Sequence, residues 1–186
     1  MIVEPIRDIK KIKQMQDFLK GKDKRCWLLF NFGLNTGLRI SDILPIKVSD
    51  VMSEKLQFRE HFDLVEMKTK KPKKIRLNDN VRKYIKEFIK EKNLTFNDYL
   101  FISRKGGHIQ RIQAWKILSE TANALGIEHF GTHSMRKTWG YWTYKASKYN
   151  IGLIMDVFNH SSQKITLRYI GISQDQKDEL YSLVQF

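Results

Sequence analysis

Thr132-His133-Ser134-Met135-Arg136-Lys137-Thr138, then Asn159-His160-Ser161-Ser162, then Ile165-Thr166-Leu167-Arg168-Tyr169 are the stretches that decide how the chain reads. His133 and Arg136 stand at i and i+3, so in a helix both side chains reach one ligand. Asn159 to Ser162 reads as a helix boundary, with Asn159 or Ser161 as cap, and Tyr169 falls about two turns along the helix that follows. Far upstream, Thr36-Gly37-Leu38-Arg39 breaks a helical stretch, and Arg39 sits where one helix ends and another begins. Two arginines, two histidines and a tyrosine in this order suit phosphoryl transfer. Guanidinium and imidazole groups bear the charge that builds on non-bridging oxygens while a tyrosine oxygen attacks phosphorus, and neither metal nor ATP is needed. A lone His-x-x-Arg pair is more often a surface pair or a cap; the other three residues give this one its weight.

Working outward, charge names the phosphate. The 186 residues hold 34 Lys plus Arg against 20 Asp plus Glu, a formal net charge of +14. Such an excess draws in a polyanion by counterion release, and double-stranded DNA is the leading partner. The charge also clusters: Lys68, Lys70, Lys71, Lys73, Lys74, Arg76, Arg82 and Lys83 face the single acid Asp79, the pattern of a phosphate-facing edge. Cys26, the only cysteine, forms no internal disulfide, and its neighbours Trp27, Leu28 and Leu29 point to a buried thiol in a reducing compartment, the cytoplasm. The first residues lack a charged segment followed by an apolar run, so no signal peptide is expected, and nowhere do about 18 apolar residues run together as a membrane span would require.

The length fits one domain, and no repeat, low-complexity tract or Pro/Gly/Ser linker divides it. Ile6, Ile9, Ile12, Met15, Phe18 and Leu19 recur at helical spacing, so residues 5 to 20 are expected as a helix stopped by Gly21. A second helix is expected from Asp23 to Asn35, and Asp42 lies in a short helical segment limited by Pro45. From Lys55 to Leu77 the period shifts toward two, predicting a small antiparallel sheet with its turn around Lys71-Pro72. Val81, Tyr84, Ile85, Phe88 and Ile89 predict a helix capped by Asn78 or Asp79. Tyr99 to Ser103 is expected as a short strand and Gly106-Gly107 as a turn; the stripe from Ile109 to Leu125 then opens a helical remainder. The fold class is α+β, mainly helical. Residues 5–173 form its body, and 174–186 a tail helix docked either on its own domain or on a neighbouring copy through Leu180, Leu183, Val184 and Phe186.

At this point the chain resembles the tyrosine recombinases, or phage integrase family, from about Lys24 to Gly171. Asn35-Thr36-Gly37-Leu38-Arg39-Ile40-Ser41-Asp42 looks like the family's first arginine box, and Met67 to Leu77 like its lysine-bearing hairpin. Thr132 to Thr138 resembles the His-x-x-Arg box, Asn159-His160 the second histidine box, and Ile165 to Tyr169 the nucleophile segment. The resemblance implies a DNA recombinase with the family's catalytic fold, serving integration, excision or inversion as mobile elements require, through a 3′ phosphotyrosine. Tyr169 would be the nucleophile, Arg39 and Arg136 the clamp on the non-bridging oxygens, His160 a further hydrogen bond to them, and His133 the acceptor or relay of the tyrosine proton. Lys68 would protonate the departing 5′ oxygen, with Lys70, Lys71, Lys73 and Lys74 competing for that role. Those lysines and Arg76 are otherwise expected to touch phosphates without sequence preference. Asp42 would hold a guanidinium or imidazole in place from behind. Recombination further implies a tetramer on two duplexes, with accessory DNA-bending proteins as compatible partners.

Three departures and two competing readings accompany the resemblance. Asn159 stands where the family usually has glycine, and Lys137 where a histidine is common. The residues before Lys24 are too few for the amino-terminal DNA-clamping domain of most relatives, so we expect a catalytic domain alone, either part of a longer protein or a minimal enzyme like the short fimbrial-switch invertases. The competing readings are a type IB topoisomerase-like strand passer and a basic protein that binds DNA without cutting it. Tyr141, Tyr144 and Tyr149 read as packing beside Trp139 and Trp142, with Tyr181 a remote alternative nucleophile. His129 and His133 could share a helix face as metal ligands, but Gly131 lies between them and no third ligand stands out, so no metal is expected.

Overall fold

Asp8, Asp23, Asn78, Asn150 and Ser162 each accept a backbone N–H with a side-chain oxygen at the start of a helix, and these caps set the frame of the chain. The computed structural model describes residues 3–172 and 181–183. In chain order its elements are α1 (Ile9–Lys22), α2 (Lys24–Thr36), α3 (Ile40–Ile43), α4 (Val48–Val51), β1 (Phe62–Val65), β2 (Pro72–Ile75), α5 (Asp79–Lys92), α6 (Arg111–Ala124), α7 (Ser134–Ala146), α8 (Ile151–Phe158) and α9 (Gln163–Tyr169). β1 and β2 pair antiparallel, Phe62 opposite Ile75 and Val65 opposite Pro72.

Helix α2 is the axis of the fold. Cys26 to Gly33 are buried without interruption, because α1, α5, α6 and α7 pack around this helix on different sides. Burial, with Asp23 adding to it, pushes the Cys26 thiol up to about 12, so it stays protonated. α2 ends at Gly37 in the left-handed conformation, φ 64°, and a Cβ there would stand 2.4 Å from the Trp139 ring. Only glycine fits both demands, and it delivers Arg39 two residues later. A smaller apolar cluster of Ile154, Phe158 and Ile170, joined by Trp139 and Tyr169, holds α8 and α9 against α7.

The segment before α1 is an extended strap lying on α7, not a first helical turn. Ile6 donates its N–H to Thr138 Oγ1 at 2.8 Å, Ser134 Oγ donates to the Glu4 carbonyl, and Trp142 Nε1 donates to the Ile6 carbonyl. The cap at Asp8 fixes the helix start there, and α1 runs past Gly21 to Lys22, since Gly21 adopts helical geometry at no steric cost.

Other boundaries shift for similar local reasons. Pro72 opens β2 instead of making the turn, which a proline at a strand start allows, and the turn occupies residues 66–71. Phe58 pairs with Met52, Tyr99 with Lys47, and Ile102 with His108 only as isolated bridges, so no strand forms from Tyr99 to Ser103. The short helix α4 lies beyond the expectation from sequence, which ends helical structure at Pro45. Along α6, Ile112 is 76% exposed, so part of that apolar stripe faces outward. Ser162, not Ser161, caps α9, and Asn159 closes α8. The tail helix expected over 174–186 lies outside the described residues, apart from 181–183.

Candidate active site

Four chain segments converge at the carboxyl end of α2. Arg39 stands at the α2–α3 junction, His133 at the N-cap of α7 with Arg136 in its first turn, His160 just past α8, and Tyr169 at the last residue of α9. The phenol oxygen of Tyr169 lies 3.1 Å from His133 Nδ1. Its ring is bracketed by His160 and Phe158, centroids 5.1 and 5.4 Å away, with Lys137 Nζ over one face.

Arg136 is 2% exposed. Its Nη1 donates to the Gly37 carbonyl at 2.7 Å and its Nη2 to the Phe158 carbonyl at 3.3 Å, while the guanidinium carbon sits 4.2 Å from the centre of the Phe158 ring. One arginine thus ties the end of α2 to the end of α8, and it also reaches the Tyr169 phenol. Arg39 is held differently. Its Nη1 is 2.8 Å from Glu66 Oε1 and 3.9 Å from Asp42 Oδ2. Asp42 spends its other oxygen on the Met67 N–H, tying the hairpin to α3.

Burial depresses both histidines, and the charges of Arg136 and Arg39 push the same way, so each imidazole is neutral at pH 7. The Thr166 hydroxyl lies 3.1 Å from His160 Nδ1, and with the hydroxyl donating there the neutral ring carries its proton on Nε2, a donor for a ligand. Burial raises the Tyr169 phenol, against the pull of Arg136 and Arg39. A protonated phenol beside a neutral imidazole and two guanidinium groups can give up its proton as its oxygen attacks phosphorus.

The hairpin departs from the sequence reading. Lys68 is exposed in the turn, and its charge reaches His133. Lys70, Lys71, Lys74 and Arg76 are also exposed. Lys73 is not a free phosphate contact: it turns inward, 2.9 Å from Glu66 Oε1, and donates to the Val157 carbonyl. Sequence reasoning missed Glu66 altogether. Its signal was present, for Phe62, Leu64 and Glu66 continue one alternating face of β1 and its extension, and an inward-pointing acid ahead of a basic run calls for a cationic partner. Thr166 and Phe158 were missed too, as ordinary helix residues.

The sequence model of the phage integrase family matches residues 8–176. The chain belongs to that family. It is 44% identical over 183 residues to a probable integrase/recombinase of Bacillus subtilis strain 168, YoeC, covering 98% of this chain and 97% of that protein. Its fold is similar to that of XerA recombinase, TM-score 0.76 at 17% identity, over 100% of this chain and 66% of that one. It is also similar to XerH site-specific recombinase bound to palindromic difH substrate in a post-cleavage complex, TM-score 0.73 at 19% identity, over 98% of this chain and 54% of that one. Among the described residues of this phage integrase family member, no three His, Cys, Asp or Glu side chains converge as metal ligands. No described helix is long and apolar enough to cross a membrane.

Proposed function

We propose that this chain cuts and rejoins double-stranded DNA as a site-specific recombinase, with Tyr169 as nucleophile. The observation that carries the reading is the 3.1 Å contact between Tyr169 and a neutral His133, set among Arg39, Arg136 and His160. Tyr169 oxygen bonds to phosphorus as the bond to the 5′ oxygen breaks; His133 Nδ1 takes the phenol proton. Arg39 and Arg136 bear the charge on the non-bridging oxygens, assisted by His160 Nε2. Glu66 and the Val157 carbonyl engage Lys73, and of the exposed hairpin lysines Lys68, whose charge reaches His133, gives a proton to the departing 5′ oxygen. The covalent 3′ phosphotyrosine conserves the bond energy, so a free 5′ hydroxyl reverses the step without ATP or metal.

Exchange between two sites needs several such centres around two duplexes, and the proposal includes assembly of a tetramer on DNA. Trapping on nicked duplexes from the DNA flanking the gene, in EDTA, tests both parts. We expect an SDS-stable adduct, absent from Tyr169→Phe, within complexes that hold two duplexes. Adducts confined to single duplexes would favour a strand-passing enzyme, and tight binding without adduct a non-catalytic DNA-binding protein.

A further inference from the structure

Glu66 takes no direct part in that reaction, yet it sits at the centre of the site and its side chain has no exposed area. Oε1 lies 2.8 Å from Arg39 Nη1 and 2.9 Å from Lys73 Nζ, while Oε2 accepts from Thr69 Oγ1 at 2.5 Å and Asn159 Nδ2 at 3.2 Å. These four groups come from the α2–α3 junction, the hairpin and the corner between α8 and His160. A buried carboxylate would be costly alone, but here it answers Arg39 and Lys73 directly with Arg136 nearby. Burial by itself would raise the Glu66 carboxyl; the Thr69 hydroxyl and the cationic Lys73 and Arg39 override that and hold it at about 2.

We propose that Glu66 is a positioning residue, the carboxylate that aims the Arg39 guanidinium at the scissile phosphate and locks it to the hairpin and to the Asn159–His160 corner. The inference rests on the recombinase reading. The geometry separates it from two other roles. A carboxylate keeping the phosphate pocket filled until DNA arrives would have to be reachable from the groove and free to leave, whereas Glu66 is enclosed, with Oε1 ion-paired to Arg39 and Lys73 and Oε2 hydrogen-bonded to Thr69 and Asn159. Asp42 does not do the same work, since its nearer approach to Arg39 is 3.9 Å and its other oxygen holds the Met67 N–H. Asn159 also acquires a purpose. It closes α8 in the left-handed conformation, φ 54°, which asparagine tolerates and glycine prefers, and only asparagine brings a side-chain donor to Glu66 from there.

The test is single-turnover cleavage by Glu66→Gln, Glu66→Asp and Asn159→Gly, each of native melting behaviour, on two nicked duplexes. One carries an ordinary scissile phosphate; in the other a methyl group replaces a non-bridging oxygen, leaving no charge for Arg39 to meet. On the phosphate we expect Glu66→Gln to be slower by about tenfold to a hundredfold, less than the roughly hundredfold to thousandfold of removing an oxyanion donor outright because Arg39 is misaimed and not lost, with DNA affinity nearly unchanged. Glu66→Asp should recover part of the rate, and Asn159→Gly should lose several-fold. On the neutral duplex the Glu66→Gln defect should shrink to near unity, which a general structural defect would not do. Wild-type rates in Glu66→Gln, or an equal loss on both duplexes, would overturn the proposal while leaving the recombinase reading intact. Absence of any wild-type adduct on the phosphate duplex would overturn both.

Discussion

His133 and Tyr169 meet across 3.1 Å, and the direction of proton flow between them follows from their surroundings. Burial and the charges of Arg136 and Arg39 hold the His133 imidazole below its ordinary value, so its base form dominates at neutral pH and is lost only as pH falls beneath about 6.5. Adduct formation should therefore fall on acidification with an apparent pKa below that value and be flat above neutrality. His133→Gln should slow cleavage by about a hundredfold or more and abolish the acid limb, the usual scale for losing a positioned base. His160 titrates in the same direction, so His160→Gln is the control and should keep the limb. Rate against pH for the three proteins decides it, and an unchanged limb in His133→Gln would remove His133 from the role of base. At this scale the sequence was informative where a residue type is chemically irreplaceable. Arg39, His133, Arg136, His160 and Tyr169, singled out by residue type and order, do come together in the structure. The inward turn of Lys73 onto Glu66 was not legible, because that pairing crosses elements and spacing does not encode it.

The hairpin of β1 and β2 carries two sets of cations with different duties. Lys73 is turned inward to Glu66, while Lys70, Lys71, Lys74 and Arg76 face solvent on the other side and at the turn. Period-two alternation separates Lys73 from Lys74 within β2, while Lys70 and Lys71 lie in the turn and Arg76 just past the strand. Replacing the four outward residues by alanine should flatten the dependence of log K on log salt by about 0.9 unit for each phosphate no longer neutralised, with the cleavage rate at saturating DNA little changed. Binding isotherms between low and physiological salt provide the check; an unchanged slope would mean that this edge does not meet phosphate. Helix boundaries were readable where a cap residue preceded an apolar stripe, as at Asp23 and Asn78. They were misread where tertiary contact overrode local pattern. Ile6 fits a helical stripe, yet its N–H is taken by Thr138, and Ile112 fits one on α6, yet it faces outward.

On the scale of the whole molecule, the buried helix α2 organises both core and chemistry. Its apolar length carries α1, α5, α6 and α7, and its glycine end at Gly37 sets Arg39 beside Arg136, which reaches back to the Gly37 carbonyl. The α8–α9 pair, seated on α7 through Phe158 and Ile170, then brings Tyr169 over the same point. The mainly helical class and the order of the boxes were legible because each box lies at an element boundary, where Gly, Asn, Ser and Pro punctuate the chain. Distances between boxes were not, since they arise from packing across the molecule. The central claim is that Tyr169 becomes joined to DNA, and mass spectrometry of peptides from the SDS-stable adduct tests it most directly. We expect the nucleotide on the peptide containing Tyr169, through a 3′ phosphate, with a free 5′ hydroxyl on the released strand. Attachment at Tyr181 or another residue, a 5′ linkage, or no covalent peptide at all would contradict the account.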